Sequence, residues 1–209
     1  MKDEGGAAWK LDALAQTYDE IRNDRTSLLA RKSRLKYNYS TKDACGPQKR
    51  KNMKKIAVIY YSRSGNTERM AKLVAEGASL EPDVEVTVSS VKDFAVEKAL
   101  EYNALIIGSP TYYGSMAAEI KRFFDDSVRF HGRLSGKVGA AFSSAANIGG
   151  GNETTIMDIL CAMLIHGMVV AGDHAGDHYG PVSIGSPDAR VEKQCRALGR
   201  KVAALSRKL

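Results

Sequence analysis

From residue 54 to the C-terminus, short apolar runs alternate with stretches of helical periodicity, and few architectures accommodate that alternation. The runs at 56–61, 84–88, 104–108, 138–143 and 168–171 read as strands. Residues 67–78, 94–102, 116–126 and 153–165 read as the helices between them, and a last helix covers 187–208. On the 116–126 helix, Ile120, Phe123 and Phe124 form the inner face. Most of the strands are continuously apolar, which marks a parallel sheet covered on both faces. Five such strands joined by right-handed crossovers predict an α/β doubly wound sheet.

With 209 residues the chain buries one substantial α/β core and leaves little for a second domain of normal size. No segment approaches the roughly 20 apolar residues of a membrane span. The start, MKDEGGAAWK, lacks the apolar stretch of a signal peptide. Cys45, Cys161 and Cys195 are far apart and odd in number, which points to reduced thiols and a cytoplasmic location.

The net charge of +7 is unevenly spread. Residues 1–52 carry 12 Lys/Arg against 7 Asp/Glu, whereas residues 53–209 carry 19 against 17. Basicity therefore belongs mainly to the leading segment, and the overall charge gives no reason to expect nucleic acid as a partner. In that segment Leu11, Leu14, Tyr18, Ile21, Leu28 and Leu35 fall on three- and four-residue steps, with Arg25 and Lys32 at seam positions. The spacing predicts an amphipathic helix over about residues 7–36. It would lie on its own body, form a loose extension or self-associate. Residues 37–52 read as a polar, basic linker, and Met53 would also begin the folded body cleanly. The expected organisation is a helical and basic extension over 1–52 and one domain over 53–209.

In an open parallel sheet, ligands bind beyond the carboxyl ends of the strands. The segments leaving the first, third and fourth strands read SRSGNT, SPTYYG and SSAANIGGGN, and none contains an acidic residue. The first, Ser62-Arg63-Ser64-Gly65-Asn66-Thr67, is rich in hydroxyls and ends at a helix N-terminus, where free N–H groups and the dipole attract phosphate. It lacks the Lys of a nucleoside triphosphate loop and the further glycines of a dinucleotide loop. A monophosphate held mainly by hydroxyls remains, and FMN meets that description. The second segment, Pro110-Thr111-Tyr112-Tyr113-Gly114 after Ser109, offers two aromatic rings as a flat wall for an isoalloxazine. In the third, Gly149-Gly150-Gly151 permits a backbone turn around the ring.

These motifs carry a resemblance. SRSGNT resembles the phosphate loop of flavodoxins, [ST]-x-[ST]-G-x-T. GSPTYYGSMAAEIKRFFD, GKVGAAFSS, GGGNETT, HGMVV and HYGPVSIG are together similar to the tryptophan-repressor-binding-protein (WrbA) type NAD(P)H:quinone oxidoreductases, over about residues 54–209. The resemblance implies a flavodoxin-like five-stranded sheet of order 2-1-3-4-5, FMN as cofactor, NAD(P)H as co-substrate and a small-molecule quinone or similar acceptor. It also implies a homo-oligomer, dimer or tetramer. It places the phosphate on residues 62–67, the isoalloxazine on 110–114, and its other edge on Ser144, Ala145, Ala146, Asn147, Ile148 and Gly149. Phe130 or His131 falls where the family has an aromatic residue beside the substrate. The chain departs from the family in having Ile165-His166-Gly167 for His-His-Gly and Ala145-Ala146-Asn147 for Thr-Gly-Thr. The segment between the second and third strands is also short.

No certain catalytic acid or base emerges; Tyr112, Tyr113, His166 and His178 are the candidates near a flavin. Asp173, His174, Asp177 and His178 also have the composition of a metal site, but the glycines among them favour a solvated loop, and no metal is expected. His166, between an apolar helix and an apolar strand, suits a structural or a functional role. Two functions stay open. One is two-electron transfer from NAD(P)H to a quinone; the alternative is a flavodoxin-type carrier of single electrons between redox proteins. Such carriers bear acidic docking faces, whereas this body is slightly basic, which favours the oxidoreductase.

Overall fold

The structure is a computed structural model that describes residues 53–209. The amphipathic helix expected over 7–36 and the linker over 37–52 lie outside the described residues. Within them the order is β1 (Lys54–Tyr60), α1 (Asn66–Ala78), β2 (Val84–Ser90), a 3₁₀ turn (Val96–Glu101), β3 (Ala104–Tyr112), β4 (Ser115–Met116), α2 (Ala118–Ser127), β5 (Val138–Ala145), α3 (Asn152–Ile165), β6 (Val169–Val170), β7 (Val182–Ile184) and α4 (Ala189–Ser206).

The sheet runs β2-β1-β3-β5-β6, with every neighbouring pair parallel. This is the expected 2-1-3-4-5 order once the small hairpin strand β4 is set aside. Ile56, Ala57, Val58 and Ile59 are all fully buried, because both faces of β1 are covered. Ile56 and Val58 point to one layer with Met70 and Val74 of α1 and Leu198 and Val202 of α4. Ala57 and Ile59 point to the other, with Ile120 and Phe123 of α2 and Ile156 and Ile159 of α3. The period-two alternation of a strand thus supplies both cores from one apolar run.

Helices α1 and α4 approach through glycines. A Cβ on Gly77 would stand 2.0 Å from the Arg196 carbonyl oxygen, and one on Gly199 would stand 1.9 Å from that of Val74. Asp188 starts α4 by accepting the Val191 N–H at 2.8 Å, so the helix begins at Ala189 and not at Pro187.

Two segments differ from the sequence expectation. The loop expected after residue 108 is strand as far as Tyr112, because a tight turn folds the chain back onto it. Tyr113 (φ 50°) and Gly114 (φ 79°) both take positive φ, the geometry of a two-residue hairpin that pairs Tyr112 with Ser115. The strand expected over 168–171 shortens to β6, and the sheet edge is completed by a further strand, β7, that the sequence pattern does not show. β6 pairs with Val138 and Gly139 at the start of β5, and β7 pairs with Ser143–Ala145 at its end. Residues 171–181 loop out between them. Gly180 brings the chain back, where a Cβ would stand 2.1 Å from the Ala141 oxygen.

Candidate functional site

The segments leaving β1, β3 and β5 meet at one end of the sheet, tied in pairs. Thr67 of the first and Ser144 of the third share a buried hydroxyl–hydroxyl hydrogen bond of 2.8 Å. Tyr61 and Tyr112 bring the first and second together as an edge-on aromatic pair, with centroids 6.5 Å apart. The second and third touch where a Cβ on Gly151 would lie 2.5 Å from Gly114 Cα, and Thr154 Oγ1 donates to the Gly114 carbonyl at 2.5 Å.

In the first segment, Gly65 caps α1 at φ 88°, with no side chain bonded to the helix N-terminus. The opening N–H groups of α1 are therefore free of a side-chain acceptor, and an anion is attracted to them. Ser62 Oγ accepts the Gly65 N–H at 3.1 Å, leaving the Ser62 hydroxyl hydrogen to donate outward. Arg63 and Ser64 are exposed and Asn66 is half-buried. Thr67 is buried, and the bond to Ser144 uses one of their two hydroxyl hydrogens. This pair is a shared donor, not the free Thr67 hydroxyl that the motif suggests.

The second segment spends its hydroxyls internally. Ser109 Oγ accepts the Ala117 N–H and donates to the Pro110 carbonyl, both at 2.8 Å. Thr111 bonds Ser143 and Thr155, each at 3.0 Å. The strand extension is thereby fastened to β5 and α3, and Tyr112 (37% exposed) and the fully exposed Tyr113 are held outward at the turn. In the third segment Ala146, Asn147, Ile148 and Gly149 are exposed, and Ala145 is half-buried. Gly151 caps α3 at φ 100°, again without a side-chain cap, and Asn152 Oδ1 beside it is buried without a partner.

Of the histidine candidates, His166 does not join these loops, whereas His178 lines a small cavity with Glu153 at the start of α3. Val169, just after His166-Gly167-Met168, pairs with Val138 at the start of β5, and Gly136 N donates to the Gly167 carbonyl at 2.9 Å. His166 therefore lies near the opposite end of β5 from Ser144, about 20–25 Å away at the usual rise per strand residue. It is 6% exposed. Ser127 Oγ donates to the Phe124 carbonyl at 2.6 Å, so it accepts the His166 Nε2–H at 2.8 Å. Burial, then the neighbouring His131, lower the His166 pKa, and its Nδ1 is buried without a partner. Phe130 stacks on His166 and the exposed His131 lies 5.7 Å from it, so both substrate candidates share that remote end. The sequence motif could not convey this, because a crossover helix places its first and last residues at opposite ends of the sheet.

His178 sits in the exposed loop between β6 and β7, with Nδ1 2.8 Å from the Asp173 carbonyl. Asp173 and Asp177 form ion pairs with Lys201 (2.6 Å) and Arg190 (2.9 Å) of α4. Among the described residues, no group of three or more His, Cys, Asp or Glu side chains is arranged to hold a metal ion. Sequence reasoning missed Tyr61, which passes for the end of an apolar run but pairs with Tyr112 across the first and second segments.

Residues 58–156 match the flavodoxin family profile. The chain is 43% identical over 159 residues to a flavodoxin of Aquifex aeolicus, covering 72% of this chain and 86% of that protein. It belongs to the flavodoxin family. A second relative is named NAD(P)H dehydrogenase (quinone), from Archaeoglobus fulgidus: 34% identical over 191 residues, 75% of this chain and all of that protein. Among solved structures, this flavodoxin-family chain is similar to a WrbA-like flavodoxin from Agrobacterium tumefaciens, with a TM-score of 0.63 and 26% identity over 74% of this chain and 98% of that one. An archaeal flavodoxin superposes with a TM-score of 0.59 at 28% identity, over 73% of this chain and 98% of that one. The resemblance read in the motifs is thus matched by both groups of relatives, and the chain is a flavodoxin-like flavoprotein.

Proposed function

We propose that residues 53–209 bind FMN and transfer two electrons from NAD(P)H to a quinone or similar small acceptor, with residues 1–52 as a separate extension. The observation that carries the cofactor is the pair of uncapped helix N-termini at Gly65 and Gly151, beside outward-facing aromatic and backbone surface at Tyr112, Tyr113 and Ile148. A Cβ on Gly65, Gly114 or Gly149 would meet nothing within 4 Å, so the backbone there is open to a ligand. Hydroxyls of Ser62, Ser64 and the Thr67–Ser144 pair, with the opening N–H groups of α1, would hold the phosphate. Residues 110–114 and 144–149 would border the ring. When bound, FMN supplies the redox chemistry: NAD(P)H, a proton and a quinone become NAD(P)⁺ and a hydroquinone.

The absence of any carboxylate from the three segments, with Arg63 exposed among them, supports the two-electron reading, since a positive rim tolerates the anionic reduced ring. The name of the Archaeoglobus relative supports it as well. The 43% identity to the Aquifex flavodoxin favours the second reading, a one-electron carrier. Anaerobic mixing of the FMN-loaded protein with NADH or NADPH separates them. Bleaching of the yellow band, reversed by benzoquinone, supports the oxidoreductase; bleaching only with an added reductase protein supports the carrier. The same reading includes a homo-oligomer, supported by exposed Val128, Leu164 and Ile165, which sedimentation would test.

A further inference from the structure

A recess lies beyond Tyr61 at the same end of the sheet as the three loops. It is a cavity of about 470 Å³ lined by Val91, Lys92, Ala118, Glu119 and Arg122. Val91 N donates to the Tyr60 carbonyl at 2.7 Å, and the Ala117 N–H that precedes α2 is held by Ser109, so both walls are anchored to the loop-bearing strands.

Tyr61 links the recess to the candidate ring site. One side of its ring meets Tyr112, and Lys92 Nζ stands 5.2 Å from its centroid. Glu119, the one carboxylate lining the cavity, lies close enough to raise the Tyr61 pKa. Arg69, Arg129, Arg190, Arg196, Arg200 and Arg207 each have a carboxylate partner. Lys92 and Arg122 have none among the described residues, nor does Arg63 next to Tyr61. Exposed cations gathered at one aromatic cavity, with Glu119 their one carboxylate neighbour in its wall, leave a net positive charge that a phosphate relieves. The volume exceeds what inorganic phosphate needs and lies within the range of sites for small organic ligands. A tyrosine face with a cation over it also suits a purine.

We infer that this recess receives the phosphate-bearing adenosine end of the nicotinamide donor, with Lys92 and Arg122 as its anion contacts and Tyr61 as its base platform. The inference rests on the proposed reading that a nicotinamide reduces this protein. NADPH, with its extra phosphate, is then the favoured donor. Lys92 and Arg122 act on donor binding alone, since the acceptor has no charge for them to meet.

The test uses the full-length, FMN-loaded protein and a redox-inert probe, adenosine 2′,5′-bisphosphate, followed by calorimetry at low ionic strength. The expected result is binding that weakens about tenfold in the Lys92→Gln/Arg122→Gln variant, the scale of a lost charge-assisted contact. Steady-state assays of the same variant should show KM for NADPH raised by a similar factor, with kcat and the KM for benzoquinone unchanged. Equal affinity in both proteins, or no binding to the wild type, overturns the inference. If neither nicotinamide bleaches the wild type while light and EDTA do, the oxidoreductase reading fails, and the calorimetry still judges the recess independently.

Discussion

Thr67 and Ser144 lie 77 residues apart in the chain, and their hydroxyls meet at 2.8 Å in a buried contact. Thr67 opens α1 and Ser144 sits near the end of β5, so the bond joins the first and third loops of the proposed FMN site. Replacing Thr67 by Val keeps the volume and removes the hydroxyl. Ser144 then loses its partner and the pair loses its spare donor, a cost of about 1–2 kcal/mol. Fluorescence titration of FMN should show affinity reduced by about five- to thirtyfold, with a small drop in Tm.

Gly65 and Gly199 separate two reasons for glycine. Gly65→Ala introduces no clash, since nothing lies within 4 Å of the new Cβ, but it must hold φ 88°. The left-handed conformation costs about 1–2 kcal/mol. Gly199→Ala drives a methyl to within 1.9 Å of a backbone oxygen in α1, and the helix pair must separate. Urea unfolding should rank Gly199→Ala as the more damaging, by about 3 kcal/mol or more relative to wild type.

His166 makes stability depend on pH. Burial holds its folded pKa below the unfolded value of about 6.5. The unfolded chain therefore binds the proton more readily, and stability falls as pH drops from about 6.5 toward the lowered folded pKa. Above that window the neutral imidazole contributes fully. Urea melts between about pH 5 and pH 8 should show this slope. His166→Gln, which keeps a polar group but does not titrate, should flatten it.

The thiols should react unequally. Cys195 is fully buried, and burial pushes its pKa up to about 12. Cys161 is exposed on α3. Native treatment with iodoacetamide followed by peptide mass spectrometry should find Cys161 alkylated and Cys195 untouched. Denaturant should make Cys195 reactive.

Removing residues 1–52 should leave FMN affinity unchanged within about twofold, because the described core and all three loops arise from residues 53–209. A large loss of FMN binding in the truncated protein would assign the extension a part in the site.

Much of this architecture is legible in local pattern. A run such as Ile56–Ile59 must be strand buried on both faces, and the periodicity after it must be helix, because each needs only neighbours a few residues away to declare itself. The phosphate-loop chemistry is local too, since a helix N-terminus, a glycine at positive φ and adjacent hydroxyls all lie within residues 62–67. Long-range placement is another matter. Thr67 bonded to Ser144, Gly180 pressed on Ala141, and the completion of the sheet edge by β7 depend on which segments the sheet brings together. No residue pattern records that. His166 shows the consequence: its neighbours in sequence resemble a flavin-site motif, but the length of α3 carries it to the far end of the sheet, beside Ser127 and Phe130. The sequence by itself determined the alternating layers and the anion-binding turn, through short-range periodicity and backbone sterics, and the strand order followed from the family resemblance of its motifs. Only the tertiary structure decided which side chains share the site, because that follows from register and crossover length summed over the whole sheet.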